Sequence, residues 1–178
     1  LGPAPTNLGI LLCAKDLLRL PTFERYSVRV LTFDGNSRLV SSKEKIFSQG
    51  YTSSLDLIVG YVLDQIPHSE VIKQATRLNV PVIPEIAIRE IIGNAVIHRD
   101  YSRTDTYTSI EIFSNRIEIN NPGGLYGDLT IDRLIDHPPR ARNEVFAESM
   151  KLLNFYEERG SGIDKTVSAM ELHCLPPV

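Results

Sequence analysis

Nine residues near the middle of the chain constrain it most. Glu90 to His98 set a carboxylate (Glu90), a carboxamide (Asn94) and an imidazole (His98) four residues apart on what reads as one helix. Four residues is about 400° of helical rotation, so the groups drift only about 40° per step and form a stripe roughly 12 Å long. Ile88, Ile91, Ile92, Ala95 and Val96 follow the spacing of a core-facing surface, centred roughly 120° from that stripe. The polar trio therefore borders the core. Pro84 suits the first turn, where its missing N–H costs nothing, and Glu85 complements the helix dipole. A carboxylate can orient and deprotonate a water, an amide oxygen can ligate a hard cation such as Mg²⁺, and a histidine can meet phosphate. The trio suits phosphoryl chemistry on a nucleotide, although the pattern by itself is more simply a helix with three polar edge residues.

A chain of 178 residues with 42% apolar side chains can hold one large or two small domains, and disorder is not expected. A net charge of -3 excludes an overall basic footprint, so DNA contact must be local or made by sequence outside this stretch. Cys13 and Cys174 stand at opposite ends without metal spacing, which fits a reducing cytoplasm better than a disulfide framework. No long apolar span or secretory segment occurs, so a cytoplasmic protein without a membrane partner is expected. The opening Leu1, followed by Pro3 and Pro5, is the start expected of a piece of a longer protein.

Leu8 to Ala14 is an apolar run compatible with helix or buried strand. Ser27 to Phe33 alternates like a strand before the turn at Asp34-Gly35-Asn36. Lys43-Glu44-Lys45 reads as solvated surface. Leu55 to Ile66 has helical spacing, and Glu70 to Ile83 suggests a hairpin around Arg77-Leu78-Asn79. Thr108 to Phe113 and Arg116 to Asn120 form a second hairpin, which Asn121-Pro122-Gly123-Gly124 interrupts. A short helix after Thr130, another over Asn143 to Phe155, and a last one ending near Leu172 complete the pass.

Both glycine loops have plain readings. Asn121-Pro-Gly-Gly124 suits a hairpin exit, and Gly160-Ser-Gly162 suits either a flexible helix lead or backbone N–H groups approaching an anion. Neither is a Walker A loop or a G-x-G-x-x-G, since Lys165 stands where the third glycine would be. The kinase-like His98-Arg99-Asp100 lacks the remaining kinase signatures. Arg140 and Arg142 could touch a phosphate or a partner, or be helix-start surface residues. His137 and His173 have no ligand-like company, and Tyr101, Tyr107 and Tyr126 lack the basic interleaving of a stacking platform.

The order of these parts is that of the GHKL ATP-binding fold of gyrase, Hsp90 and histidine kinases. More closely, Ile88-Arg89-Glu90 through Asn94-Ala95 to His98-Arg99-Asp100-Tyr101-Ser102, Arg116 to Leu125, Arg140 to Asn143, and Glu157 to Ile163 resemble the family of RecG-like ATP-dependent DNA helicases or transcriptional regulators. There a Schlafen/AlbA-like domain usually comes first, and Pro5 to Leu12 resembles the segment that follows it. The resemblance implies a two-layer α/β sandwich, with a mixed, mostly antiparallel sheet and helices on one face, over residues 81–178. Residues 1–80 would form a smaller N-terminal α/β segment.

It further implies ATP and Mg²⁺ as ligands. Glu90 matches the general base and Asn94 the Mg²⁺ ligand. His98 falls near the phosphates with Arg99 as a charge partner, Gly123 and Gly124 match the loop beneath the adenine, and Gly160 and Gly162 match the phosphate-side loop. Asn120 and Asn121 stand where GHKL proteins carry an Asp that accepts the adenine amino proton. An amide lacks the charge that strengthens such a bond. The implied function is an ATP-binding regulatory domain of a helicase-related protein, hydrolysing ATP through Glu90, with DNA reached through a domain outside this chain and homodimerisation left open. The alternative is a GHKL-fold module for dimerisation or regulation without turnover. No helicase motor motif occurs.

Overall fold

The structure, a computed structural model, describes residues 4–39, 42–73, 76–127, 129–130, 140–155, 162–173 and 175. Helix α1 (Asn7–Cys13) is capped by Thr6, whose hydroxyl accepts from Gly9 N–H at 3.1 Å, which settles the Leu8 run as helix. Strands β1 (Val28–Phe33) and β2 (Ser42–Phe47) form an antiparallel pair. The stretch expected as plain polar surface is thus an edge strand. Lys43, Glu44 and Lys45 are exposed on it, and charged side chains of this kind protect a sheet edge from pairing with other chains.

Helix α2 (Tyr51–Gln65) follows, then β3 (His68–Lys73) and β4 (Thr76–Pro81). Their register pairs Lys73 with Thr76, and Arg77-Leu78-Asn79, expected at the turn of a hairpin, belongs to β4. Next come α3 (Glu85–Ile97), β5 (Thr108–Ile112), β6 (Ile117–Asn120), α4 (Glu144–Leu152) and α5 (Gly162–Leu172). The helix expected after Thr130 falls on 131–139, outside the described residues.

The main sheet has the order β2-β1-β5-β6, with β1 parallel to β5 and the other neighbours antiparallel; β3 and β4 form a separate hairpin. Val28 and Val30 of β1 and Ile110 and Ile112 of β5 pack in one core with Ile58 and Val62 of α2, Ile88, Ile92 and Val96 of α3, and Phe146 and Met150 of α4. On the other face the opposed Glu111 and Glu118 both receive Arg38, which neutralises a like-charge pair. This is the mixed, mostly antiparallel α/β layering expected. The boundary expected at residue 80 runs through one sheet and one core, because β1 pairs directly with β5.

Helix α3 is where the core meets the polar stripe. Pro84 caps it with φ -58°, and Ala87, Ile88, Ile92, Ala95, Val96 and Ile97 are buried against the sheet and the neighbouring helices α2 and α5. Its far end is closed by a residue 46 positions away, since Asn143 Nδ2 donates to Ile97 O at 2.7 Å and to Arg99 O at 2.8 Å. One carbonyl that the helix terminus leaves over, that of Ile97, and the carbonyl of Arg99 just past the cap are thereby satisfied.

Candidate functional site

Glu90, Asn94 and His98 lie along one edge of α3, His98 as its C-cap residue, and each has a different environment. The Glu90 side chain is 11% exposed, with Lys165 of α5 placing its ammonium 3.8 Å from Oε1. Asn94 is half-buried, and its carboxamide makes no hydrogen bond among the described residues. It keeps both an acceptor oxygen and a donor available for a ligand. His98 is also half-buried; desolvation, reinforced by the nearby Arg142 charge, holds its pKa below the ordinary 6.5, so the ring is neutral at pH 7.

At the His98 end the edge meets the Asn-Pro-Gly-Gly turn. Asp100 N–H donates to Pro122 O at 2.9 Å, which ties the exit of α3 to that turn. Gly123 has φ +105°, and a Cβ there would lie 2.6 Å from Arg142 Nη1 and 2.8 Å from Asp100 Cβ, so both conformation and space require glycine. Arg142 locks the corner: Nη1 pairs with Asp100 Oδ2 at 3.1 Å, Nη2 donates to Gly124 O, and the guanidinium lies 5.3 Å from the centre of the Tyr126 ring. The polar edge therefore runs from the first turns of α5 at Glu90 to the glycine turn at His98. Gly162 begins α5, while Gly160 lies outside the described residues.

Arg99 has a different placement from the phosphate-facing one expected. It is fully buried; Nη1 donates to Thr108 Oγ1 at 3.2 Å, and Nη2 donates to Arg103 O at 3.2 Å and Thr106 O at 2.9 Å. Burial pushes its pKa down, and Tyr26 and Tyr101 flank it at 5.3 and 5.8 Å. It holds the 103–106 loop and β5 together from inside. Of the two asparagines at the adenine position, Asn120 is exposed and donates weakly to Glu111 Oε1 at 3.4 Å, whereas half-buried Asn121 accepts from the Thr108 hydroxyl at 3.0 Å.

Sequence reading missed the clamp of Arg142 and Asn143, whose only signal was the compact Arg140-Ala-Arg142-Asn143 after two prolines. It also read the tyrosines as lacking basic company, yet Arg29 and Arg25 lie 3.5 and 4.6 Å from the Tyr107 ring centre. Those arginines come from 78 to 82 positions away, beyond any local pattern. His137 lies outside the described residues.

Among the described residues no three His, Cys, Asp or Glu side chains stand together as a metal cage. A cavity of about 990 Å³ opens elsewhere, between α1, β2 and α2, lined by Gly9, Ile10, Cys13, Lys45, Phe47 and Leu57; it shares no residue with the α3 edge. No helix among the described residues is long and apolar enough to cross a membrane.

The mixed sheet, the Glu/Asn/His edge of α3 and the glycine turn belong to one α/β domain. Residues 105–178 match the family described as "Putative ATP-dependent DNA helicase recG C-terminal", the family that the sequence motifs resemble. That match takes in Asn120 to Gly124 and the last helix, with Glu90, Asn94 and His98 lying upstream of it. The fold is similar to the crystal structure of the DIP2311 protein from Corynebacterium diphtheriae, with a TM-score of 0.74 and 22% identity over 86% of this chain and 32% of that one. This chain thus spans about a third of that protein's length. No curated protein matches it.

Proposed function

We propose that this chain is the nucleotide-binding regulatory part of a RecG-related protein, taking a nucleoside triphosphate with Mg²⁺ along the polar edge of α3. The observation that carries the reading is the placement of Glu90, Asn94 and His98 between the head of α5 and the Asn-Pro-Gly-Gly turn, with the Asn94 carboxamide unengaged. Asn94 would hold the magnesium through its oxygen, and neutral His98 would meet phosphate oxygens as a donor. The bound ion supplies neutralisation of phosphate charge. Gly123 and Gly124 would approach the base, and Gly160 and Gly162 the phosphates.

Should the site turn over, Glu90 takes the proton of a water as its oxygen attacks the terminal phosphorus and the bond to the bridging oxygen breaks, leaving nucleoside diphosphate and phosphate. DNA contact would come through sequence outside this chain, in keeping with the net charge of -3.

A second reading is a module that binds nucleotide as a signal or keeps only the fold. It is favoured by the ammonium of Lys165 at Glu90 and by the commitment of Asn121 to Thr108. Calorimetry with Mg-ATP, a non-hydrolysable analogue and ADP, beside a phosphate-release assay, separates the two. Binding with release supports the ATPase, binding alone supports the switch, and no heat from any nucleotide refutes both nucleotide roles.

A further inference from the structure

Strand β2 is the outermost strand of the main sheet, and no other described strand covers its outer edge. Just past its end Ser48 O accepts Leu17 N–H at 2.6 Å, so this side of the chain already takes a donor from outside the sheet. Over Ser42–Phe47 no described backbone group outside the sheet does the same. Beside this edge opens the cavity of about 990 Å³, with Ile10, Phe47 and Leu57 in its apolar lining and Lys15, Arg19 and Lys45 among its charged groups. A sheet edge that walls an apolar groove suits an extended segment added as a strand: main-chain hydrogen bonds give affinity, and alternate side chains enter the groove.

Charge selects the occupant. Lys43 and Lys45 oppose Thr32 and Val30 in the register, on the face that carries the helices, and the Lys45 ammonium lies 4.2 Å from the centre of the Tyr61 ring of α2. Asp16 also lines the cavity but pairs with Arg19 at 3.3 Å, while Glu44 alternates to the other face and pairs with Arg29 at 3.0 Å. Lys15, Lys43 and Lys45 have no carboxylate partner among the described residues. A second copy fits poorly. Antiparallel pairing of β2 with itself about a twofold axis normal to the sheet, centred on residue 43, 44 or 45, sets lysine against lysine. The lysines that turn away a like strand attract an acidic one.

We propose that the outer edge of β2 and the groove beside it bind an acidic, extended peptide segment of a partner protein, which adds to the sheet as a fifth strand. Its groove-facing positions place carboxylates beside Lys43 and Lys45 and an apolar side chain over Phe47 and Leu57. This docking site stands apart from the nucleotide reading, since the groove shares no residue with the α3 edge.

The test is fluorescence anisotropy with a fluorescein-labelled heptapeptide in which valine alternates with two glutamates and one phenylalanine, made in both chain directions because a strand can add parallel or antiparallel. At least one direction should bind. The same peptide with lysine for glutamate, and one N-methylated throughout, which keeps the charge and removes every strand donor, should each bind at least about tenfold more weakly. Lys43→Glu combined with Lys45→Glu, both at exposed positions, should weaken the acidic peptide at least about tenfold and strengthen the lysine one, with thermal unfolding establishing that the variant is folded. Hydrogen exchange of the Ser42–Phe47 amides should slow when the peptide binds. No binding at millimolar peptide, equal binding of the N-methylated peptide, or slowed exchange confined to other elements overturns the proposal. A DNA duplex that binds and is weakened by the same charge reversals, where neither peptide binds, would assign these lysines to nucleic acid and overturn it as well.

Discussion

Lys165 on α5 places its ammonium 3.8 Å from the Glu90 carboxylate on α3, so the helix that follows the second glycine loop already touches the residue proposed as base. A lysine one-third exposed forms a weak pair, and pairs of this kind contribute about 0–1 kcal/mol. Lys165→Met should therefore move the thermal midpoint by no more than about 4 °C. Glu90→Gln should keep nucleotide binding while lowering any phosphate release by about 10²–10⁴-fold, the usual effect of losing a general base. Wild-type release from Glu90→Gln would remove Glu90 from that role.

The Arg142 corner is expected to be intolerant at Gly123. Alanine there must adopt φ +105°, a strain of order 1–3 kcal/mol, and its methyl would also meet Arg142 and Asp100. Urea unfolding of Gly123→Ala should reveal that loss. Adding Arg142→Ala should relieve the overlap with the guanidinium and leave the backbone strain. A Gly123→Ala midpoint equal to the wild type would show that the turn relaxes without cost.

Much of this arrangement was legible in local sequence, and the rest was not for a physical reason. The α3 edge could be read because its polar and apolar periodicities coexist within thirteen residues of one helix. The β5–β6 hairpin could be read because Ile110, Ile112, Ile117 and Ile119 alternate around a turn. In contrast, β2 hides behind Lys43-Glu44-Lys45, since a charged edge strand has the composition of a loop. Arg99 looked like a ligand residue because its acceptors lie in the loop beyond it and on β5, contacts that only the folded chain brings together. The parallel pairing of β1 with β5 joins residues about 80 positions apart, which no local pattern announces.

Asn143 offers a stability test independent of any ligand. Its amide hydrogens satisfy Ile97 O and Arg99 O, both on fully buried residues, so Asn143→Ala should cost about 1–3 kcal/mol for each carbonyl left alone. Asn143→Asp should cost more, because it presents a carboxylate to two carbonyl oxygens. Equilibrium unfolding that ranks Asp as milder than Ala would refute the donor role.

His98 makes stability depend on pH in a definite direction. Burial, helped by Arg142, depresses its folded pKa below the ordinary 6.5, so the folded chain binds that proton less readily than the unfolded one. Its contribution is fully present above about pH 6.5 and is lost as the pH falls through the depressed folded value, where the ring must charge beside a guanidinium. His98→Gln cannot take up the proton, so its unfolding free energy should fall less than that of the wild type between pH 7 and pH 5. Arg142→Ala should narrow the gap only in part, since desolvation is the larger cause. Nucleotide binding should follow the opposite trend if His98 meets phosphate, because a charged imidazolium attracts the anion: affinity should rise as the pH falls through the same range. Parallel pH profiles for the wild type and His98→Gln, in both stability and binding, would place the imidazole outside the site.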